Sequence, residues 1–152
     1  MRIGLYVDLS NLYYCVGNKF HKKVDYTKYK AFIDDVGTIT RAVAYGAQVK
    51  DEACKFIEAL HKSGFEHKYK RPKTFPNGTR KADWDIGICV DIITELDQYD
   101  MVVIGSADGD MLPLAEYIVK KGKKVLFLAS GIATELRPHP HIEIMESLLE
   151  DI

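Results

Sequence analysis

The chain has 152 residues and a formal net charge of −1, and 47% of its residues are hydrophobic while 28% are charged. This composition excludes a disordered tail, a collagen-like fibre and a small disulfide-stapled protein, and the length predicts a single domain over residues 1–152. Because the net charge is close to zero, any surface for an anionic partner has to be local.

Strand and helix patterns alternate along the first half of the chain. The apolar run Arg2–Val7 predicts a strand that ends in a helix-cap-like turn at Asp8. A second strand is predicted at Thr38–Tyr45, and apolar residues at helical spacing predict a helix over Val49–Ser63. A weak alternation over Phe65–Arg71 favours a third strand.

The alternation continues through the second half of the chain. Asp83–Asp97 is apolar around most of its circumference, so we expect a helix that is buried against a sheet. Met101–Gly105 is typical of a central parallel strand, and an amphipathic helix is predicted at Asp110–Lys121. After a buried strand at Val125–Ala129, the last residues favour one more strand and a short helix. This order predicts an α/β domain with a mostly parallel sheet.

The three cysteines, Cys15, Cys54 and Cys89, form no CxxC pair, and their odd number argues against a disulfide framework. We interpret them as small buried residues in a reducing compartment and expect a cytoplasmic location. The opening apolar run is interrupted at Asp8, too early for a secretion signal. No window approaches the roughly 20 apolar residues of a membrane span, so we expect no membrane association.

Two predicted strands lead directly into acidic residues. The first ends at Asp8, and the strand Met101–Gly105 continues through Ser106 to Asp108 and Asp110. Because ligands of parallel α/β sheets bind beyond the carboxyl ends of the strands, we expect these carboxylates to lie close together at that edge. Such like charges repel unless a cation compensates them or a proton is shared, and all-oxygen sites suit Mg²⁺ or Mn²⁺. The alternative is that these acids only cap helices.

A further acidic segment precedes the predicted helix at Asp83–Asp97. Asp85 and Asp91 differ by about 240° around a helix, so they cannot both face one ion. Asp85 lies nearer the helix start, and we expect it, rather than Asp83 or Asp91, to join the strand-end acids. For Asp91 we expect a backbone donor, the surroundings of Glu95 or solvent.

These motifs resemble the NYN domain, in the LabA-like branch of the PIN-like metal-dependent nucleases. The resemblance spans residues 2–129 and includes Asp8-Leu9-Ser10-Asn11, Lys81-Ala82-Asp83-Trp84-Asp85-Ile86-Gly87 with Asp91, and Ser106-Ala107-Asp108-Gly109-Asp110-Met111. It implies a three-layer, Rossmann-like domain with helices on both sides of a mostly parallel sheet. It also implies that the catalytic, metal-holding acids are Asp8, Asp85, Asp108 and Asp110, with Asn11 and Ser106 as supporting polar residues.

Two positions depart from the family pattern. Met111 stands where an aromatic residue often follows the last Asp. The family commonly has another Asp near the C-terminal strand, where this chain has His139-Pro140-His141. A contribution of the C-terminal region to the site therefore stays open, and we expect the two histidines to lie in a surface loop, since no second ligand pair accompanies them.

Residues 67–82 are rich in cations, contain no acid and include two aromatic residues. Cations that follow a phosphate backbone and aromatic rings that stack on bases are what single-stranded nucleic acid requires. The segment predicts a flexible RNA-binding loop, and an ordinary solvated loop is the alternative. A second basic stretch, Lys19–Lys30, either borders the same cleft or is structural. The predicted RNA contacts are Lys68, Lys70, Arg71, Lys73, Arg80 and Lys81.

The sequence thus favours a Mg²⁺- or Mn²⁺-dependent ribonuclease that acts on single-stranded RNA. The preference for RNA, and an attack that leaves a 5′-phosphate, are implications of the family resemblance. Two alternatives stay open: a non-catalytic RNA- or partner-binding module with the same fold, and a metal-dependent phosphatase acting on small esters. Without a Walker loop, a GxGxxG or a GxSxG motif, we expect no nucleotide cofactor and no serine hydrolysis. The oligomeric state, including a homo-oligomer, stays open.

Overall fold

Strands and helices alternate along the chain in the computed structural model, which describes residues 1–47, 54–70, 73–74, 76–77, 80–81 and 83–152. The strands along these residues are β1 (Arg2–Asp8), β2 (Lys23–Val24), β3 (Thr38–Gly46), β4 (Glu66–Tyr69), β5 (Lys73–Thr74), β6 (Arg80–Lys81), β7 (Met101–Gly105), β8 (Lys124–Ala129), β9 (His141–Glu143) and β10 (Leu149–Glu150). The helices are α1 (Leu9–Phe20), α2 (Tyr26–Asp34), α3 (Cys54–Lys62), α4 (Asp85–Glu95) and α5 (Leu112–Lys120).

Six parallel strands form the central sheet, in the order β4-β3-β1-β7-β8-β9. In its middle, Leu5 of β1 pairs with Ala42 of β3 on one side and with Val103 of β7 on the other. Leu5, Tyr6 and Val7 are all fully buried. An apolar run without alternation is what a parallel strand covered on both faces requires, and this is why the sequence signal of β1 and β7 is clear.

The order of the strands determines the layers. From β1 the chain moves outward to β3 and β4 through α1, α2 and α3, and it then returns through α4 to β7 and continues through α5 to β8. Because crossovers between parallel strands are right-handed, this reversal puts α4 and α5 on the face opposite α1, α2 and α3. The fold is a three-layer α/β structure, as the sequence predicts, and it has a topological switch point between β1 and β7.

Several elements differ from the sequence prediction. The basic stretch Lys19–Lys30 contains the end of α1, all of β2 and the start of α2, none of which the sequence analysis identified. The predicted helix Val49–Ser63 agrees with α3 from Cys54 onward, whereas residues 48–53 lie outside the described residues. At the end of the chain, β9 and a 3-10 turn over residues 146–148 agree with the predicted strand and short helix.

The predicted burial of this helix against a sheet is confirmed for one face of α4. Ile88 and Ile92 are fully buried, but the exposed fractions of Ile86, Val90 and Ile93 are 80%, 55% and 45%. A helix in an outer layer has only one face on the sheet, so an apolar residue on its far side remains in water. Hydrophobic composition alone could not reveal which side this is.

The described helices include none that is both long enough and apolar enough to cross a membrane.

Candidate metal centre

Asp8 lies at the carboxyl end of β1, where it caps the start of α1. Its carboxylate accepts a hydrogen bond of 3.2 Å from the backbone N–H of Asn11. Burial raises the pKa of Asp8, and the nearby charges of Asp83 and Asp108 raise it further, against the lowering effect of the capping hydrogen bonds. The charged form of this carboxylate is therefore disfavoured unless a cation lies nearby.

Asp108 and Asp110 follow β7, the neighbour of β1 at the switch point. The carboxylate of Asp108 accepts from the backbone N–H of Asp110 at 2.9 Å, which fixes a tight turn over Gly109–Met111. Asp108 is half-buried and Asp110 is exposed. The adjacency of β1 and β7 is what brings Asp8 and Asp108 to the same edge of the sheet.

Asn11 and Ser106 both hold the backbone that precedes Asp108. The side-chain oxygen of Asn11 accepts from the N–H of Ala107 at 2.9 Å, and the fully buried Ser106 hydroxyl accepts from the N–H of Asp108 at 3.2 Å. These bonds tie the first turn of α1 to the end of β7. In this geometry the two residues position the acids through the backbone.

Asp85 is the first residue of α4. Burial and, after it, the charges of Asp83, Asp108 and Asp8 together raise its pKa to about 7. One ligand oxygen from each of Asp85, Asp108 and Asp110 lies within 4.8 Å of the others. Asp8 does not belong to this close group, although it is near enough to affect the pKa of Asp85. The structure thus brings three of the four predicted acids together and puts the fourth beside them.

Asp83 was set aside in the sequence analysis, yet the structure places it beside the cluster. Its carboxylate accepts from the backbone N–H of Asp85 at 2.8 Å, and its charge raises the pKa of both Asp85 and Asp8. Asp83 precedes the first turn of α4, so angles around the helix do not determine which way its side chain points. The signal in the sequence was the short spacing of the two acids in Asp83-Trp84-Asp85.

Asp91 points away from the cluster, as the helical spacing predicts, and Arg41, the ion-pair partner of Glu95, is among the charges that act on it. The hydroxyl of Tyr45 donates to it at 2.6 Å and the Lys68 ammonium at 2.9 Å. Burial by itself would raise the pKa of Asp91, but these hydrogen bonds and the lysine charge lower it below its usual value. Two side chains from the sheet, rather than a backbone donor or solvent, therefore hold the middle of α4.

Both ends of α4 are also anchored on the sheet. At its start, the Trp84 indole N–H donates to the carbonyl of Gly46 at 2.9 Å, and its ring lies 5.2 Å from that of Tyr45. At its end, Glu95 accepts from the hydroxyl of Tyr6 and forms an ion pair with Arg41 at 2.8 Å. These contacts set the position of α4 and, with it, that of Asp85.

The described residues of the basic segment, for which the sequence predicts a flexible loop, include two short paired strands. Thr74 pairs with Arg80 and Lys73 with Lys81, so that β5 and β6 form an antiparallel ladder. Lys68 is engaged with Asp91, and the ammonium of Lys70 lies 4.7 Å from the centre of the Trp84 ring. The ring contact brings Lys70 next to the residue that precedes Asp85. Arg71 lies outside the described residues.

The C-terminal region approaches the cluster through a glutamate that the sequence analysis did not single out. A Cβ on Gly109 would lie 2.7 Å from the carboxylate of Glu135, so this side chain packs directly on the turn between Asp108 and Asp110. A larger residue at this position would require the Glu135 side chain to move away from the turn. The exposed ring of His141 donates from Nδ1 to the carbonyl of His139 at 2.8 Å.

The fold and its acidic cluster define a three-layer α/β protein with a candidate cation site at the switch point. The chain belongs to the NYN domain family, whose model matches residues 2–144. This family is nuclease-like, and its members typically use divalent metal ions.

Two relatives illustrate the similarity. The chain is 26% identical to the low amplitude and bright protein LabA of Synechococcus elongatus over 146 residues, which cover 90% of this chain and 78% of that protein. It also resembles the crystal structure of a protein of unknown function from Vibrio parahaemolyticus. That comparison has a TM-score of 0.89 and 26% identity, and covers 98% of this chain and 96% of the other.

Proposed function

We propose that this protein is a metal-dependent ribonuclease in which Asp8, Asp85, Asp108 and Asp110 hold Mg²⁺ or Mn²⁺. The observation that carries the proposal is the convergence of three carboxylate oxygens within 4.8 Å at the switch point. Membership of a nuclease-like family supports phosphodiester hydrolysis as the reaction and RNA as the substrate.

The donor set fits a hard divalent cation. Its ligand atoms are carboxylate oxygens, which Mg²⁺ and Mn²⁺ accept in preference to nitrogen or sulfur. The pKa values of Asp8 and Asp85 are raised by burial and by neighbouring carboxylates, and a bound cation would offset both effects. When bound, the ion supplies a water of lowered pKa and stabilises negative charge on the reacting phosphate.

The remaining residues of the site act by positioning these acids. Asn11 and Ser106 fix the turn that presents Asp108. Trp84 fixes the start of α4 and therefore the direction of Asp85. Because the strand ends and the helix start are held independently, the cluster is preorganised for its ligand.

We assign single-stranded RNA contacts to the basic segment. Lys70 is the best placed of the described cations, because its ring partner Trp84 directly precedes Asp85. Lys68 is expected to contribute least, since it is already paired with Asp91. The full set consists of Lys68, Lys70, Arg71, Lys73, Arg80 and Lys81.

We further infer that residues 1–152 form one NYN domain that works in the cytoplasm. The thiols of Cys15 and Cys89 are free, which agrees with a reducing compartment.

The test is incubation of labelled single-stranded and duplex RNA and DNA with the protein in Mn²⁺, Mg²⁺ or EDTA. We expect cleavage of single-stranded RNA that requires the metal and stops in EDTA. A matched control is Asp97→Asn, which removes an exposed carboxylate just after α4 and should leave cleavage unchanged.

Two outcomes would contradict the proposal. RNA binding without any cleavage in either metal would favour the non-catalytic module. Hydrolysis of a chromogenic phosphomonoester, with RNA left intact, would favour a phosphatase.

A further inference from the structure

Two neighbouring tyrosines of α1 are largely exposed. The exposed fractions of Tyr13 and Tyr14 are 60% and 67%, and their ring centroids lie 5.6 Å apart in an edge-to-face arrangement. The buried face of the same helix is formed by Leu9, Leu12 and Val16. The two rings therefore contribute little to the core, and their placement in water calls for another explanation.

The two tyrosines lie on the helix that starts directly after Asp8. Helix α1 starts directly after Asp8, so their Cα atoms are about 8 Å along the helix axis from that residue. Helical side chains lean toward the N-terminus of their helix, and that end of α1 lies at the sheet edge that holds the acids. Tyr14 is one turn after Asn11 and on the same side of α1, whereas Tyr13 lies farther around the helix and extends the exposed aromatic surface through its contact with Tyr14. Asn11, one turn earlier, is bonded to the backbone of Ala107 just before Asp108. The helix start is thus fixed relative to the cluster.

The charge of α1 suits a polyanion. No Asp or Glu occurs between Leu9 and Phe20, and the helix ends with Lys19, followed by His21, Lys22 and Lys23. Lys19 pairs with Glu143 at 3.9 Å and Lys23 with Glu150 at 3.5 Å, but both pairs are exposed and therefore weak, so a phosphate could replace the carboxylate. A nucleic acid strand that placed a phosphodiester at the acids could continue over this surface without meeting another carboxylate of the helix. An acidic protein surface could pair with the lysines, but its carboxylates would not stack on the two exposed tyrosine rings.

The chemistry of the rings favours nucleobases as the occupant. Exposed aromatic faces stack on bases of any sequence, and such stacking is a main source of affinity in proteins that bind single strands. The exposed patch on α4 differs, because Ile86, Val90 and Ile93 are aliphatic and lie on the opposite face of the sheet. Of these two exposed patches, only the α1 pair combines aromatic rings with nearness to the acids.

We propose that Tyr13 and Tyr14 form a base-stacking subsite for single-stranded RNA, next to the phosphodiester that lies at the acidic cluster. This inference rests on the proposed function, because it takes RNA as the substrate. It adds a second contact region to the basic segment, on the other face of the sheet edge. The tyrosines would stack on bases, whereas the lysines would form ionic contacts with phosphates.

The test measures binding of a fluorescent single-stranded oligoribonucleotide by anisotropy, in EDTA so that no cleavage occurs. The double variant Tyr13→Leu/Tyr14→Leu keeps apolar bulk and removes the rings, and we expect its Kd to rise at least about fivefold. Tyr13→Phe/Tyr14→Phe keeps the rings and should bind like wild type. Val90→Ala/Ile93→Ala, which reduces exposed apolar surface elsewhere, should also bind like wild type.

Two further readouts separate stacking from other effects. The log–log salt slope should not change in the leucine variant, because no phosphate contact is lost. On an abasic oligonucleotide, wild type and the leucine variant should bind equally. Unchanged affinity for normal RNA in the leucine variant, or an equal loss on the abasic strand, would overturn the inference. So would a wild-type protein that does not bind RNA, or a tyrosine-dependent dimer in sedimentation.

Failure of the inference and failure of the proposed function remain distinguishable. Metal-dependent cleavage together with tyrosine-independent binding refutes the stacking subsite and leaves the nuclease. Tyrosine-dependent binding without cleavage in Mn²⁺ or Mg²⁺ refutes the nuclease and leaves the subsite.

Discussion

At the scale of single residues, the centre of the protein is a group of carboxylates held close together by backbone hydrogen bonds. Asp8 and Asp108 each cap a turn while their charges repel each other. Asparagine is also a good cap, so an Asp→Asn change at these positions separates the charge of the side chain from its structural role.

Asp8→Asn and Asp108→Asn should each reduce RNA cleavage by roughly 100-fold or more, because each 1.36 kcal/mol of lost charge stabilisation is tenfold in rate. The fold should be retained, and without metal the variants should melt no lower than wild type, since one repelling charge is gone. Initial cleavage rates and melting temperatures measure the two effects. Activity close to wild type in either variant would remove that residue from the site.

The raised pKa of Asp85 predicts an unusual dependence of stability on pH. In the folded protein this pKa is about 7, whereas an unfolded Asp titrates at roughly 3.9. At a pH between these values the folded state holds a proton that the unfolded state has released. The contribution of Asp85 to the free energy of unfolding is therefore present below about pH 4 and is lost as the pH rises toward 7.

We expect the melting temperature of the metal-free protein to fall less between pH 4 and 7 in Asp85→Asn than in wild type. Part of the fall in melting temperature with pH should remain in the variant, because the pKa of Asp8 is also raised. Parallel melting curves for the two proteins across this range would show that Asp85 is not perturbed by its neighbours.

At the scale of elements, α4 determines which acids can meet. Its start is bonded through Trp84 to β3, its middle through Asp91 to Tyr45 and Lys68, and its end through Glu95 to the sheet. The helix therefore cannot rotate to exchange Asp91 for Asp85, and the two acids have different functions.

Asp91→Asn should keep RNA cleavage within about threefold of wild type while lowering the free energy of unfolding by about 1 kcal/mol. The amide can still accept from Tyr45, but the ion pair with Lys68 is lost, and that pair is partly exposed and therefore weak. Chemical denaturation and cleavage rates measure the two effects. An inactive Asp91→Asn protein of normal stability would mean that α4 presents its other side to the substrate.

The basic segment around β5 and β6 should account for the salt dependence of RNA binding. Neutralising Lys70, Arg71, Lys73 and Arg80 together should weaken binding and reduce the log–log salt slope by about 0.7 for each phosphate contact, or roughly 3 for all four. The thermal shift with Mn²⁺ should survive, because the acids lie on strand ends and on the anchored α4. An unchanged affinity and slope would leave the segment as solvated surface.

At the scale of the whole molecule, the reversal of chain direction between β1 and β7 opens the crevice in which the acids meet. The proposed ligands come from the end of β1, from the start of α4 and from the turn after β7, which are far apart in sequence. A cation bound by all three parts can form this site only in the folded state.

Mn²⁺ should therefore raise the melting temperature of the wild-type protein. Binding to the folded state alone adds about 2.7 kcal/mol at a concentration 100 times the Kd. Calorimetry with and without Mn²⁺ measures the shift, and Asp97→Asn serves as the control that retains it. If Asp108→Asn showed the same shift as wild type, the cation would be bound elsewhere.

The sequence by itself determined the α/β class, the central strands and the acids that follow them. β1 and β7 could be recognised because a strand buried on both faces is apolar throughout, and this is a local property of the chain. Asp8, Asp108 and Asp110 could be assigned to one edge because parallel strands all end on the same side of the sheet. Asp85 followed from its position at a helix start.

Only the tertiary structure decided which side chains meet across the sheet. Asp83 joins the cluster because it precedes the helix, and Asp91 meets Lys68 because β4 pairs with β3 beneath α4. The exposure of Tyr13, Tyr14 and the aliphatic stripe of α4 depends on which face of each helix the sheet covers. These are contacts between distant parts of the chain, and no local periodicity specifies them, because the same helix pattern is compatible with more than one partner.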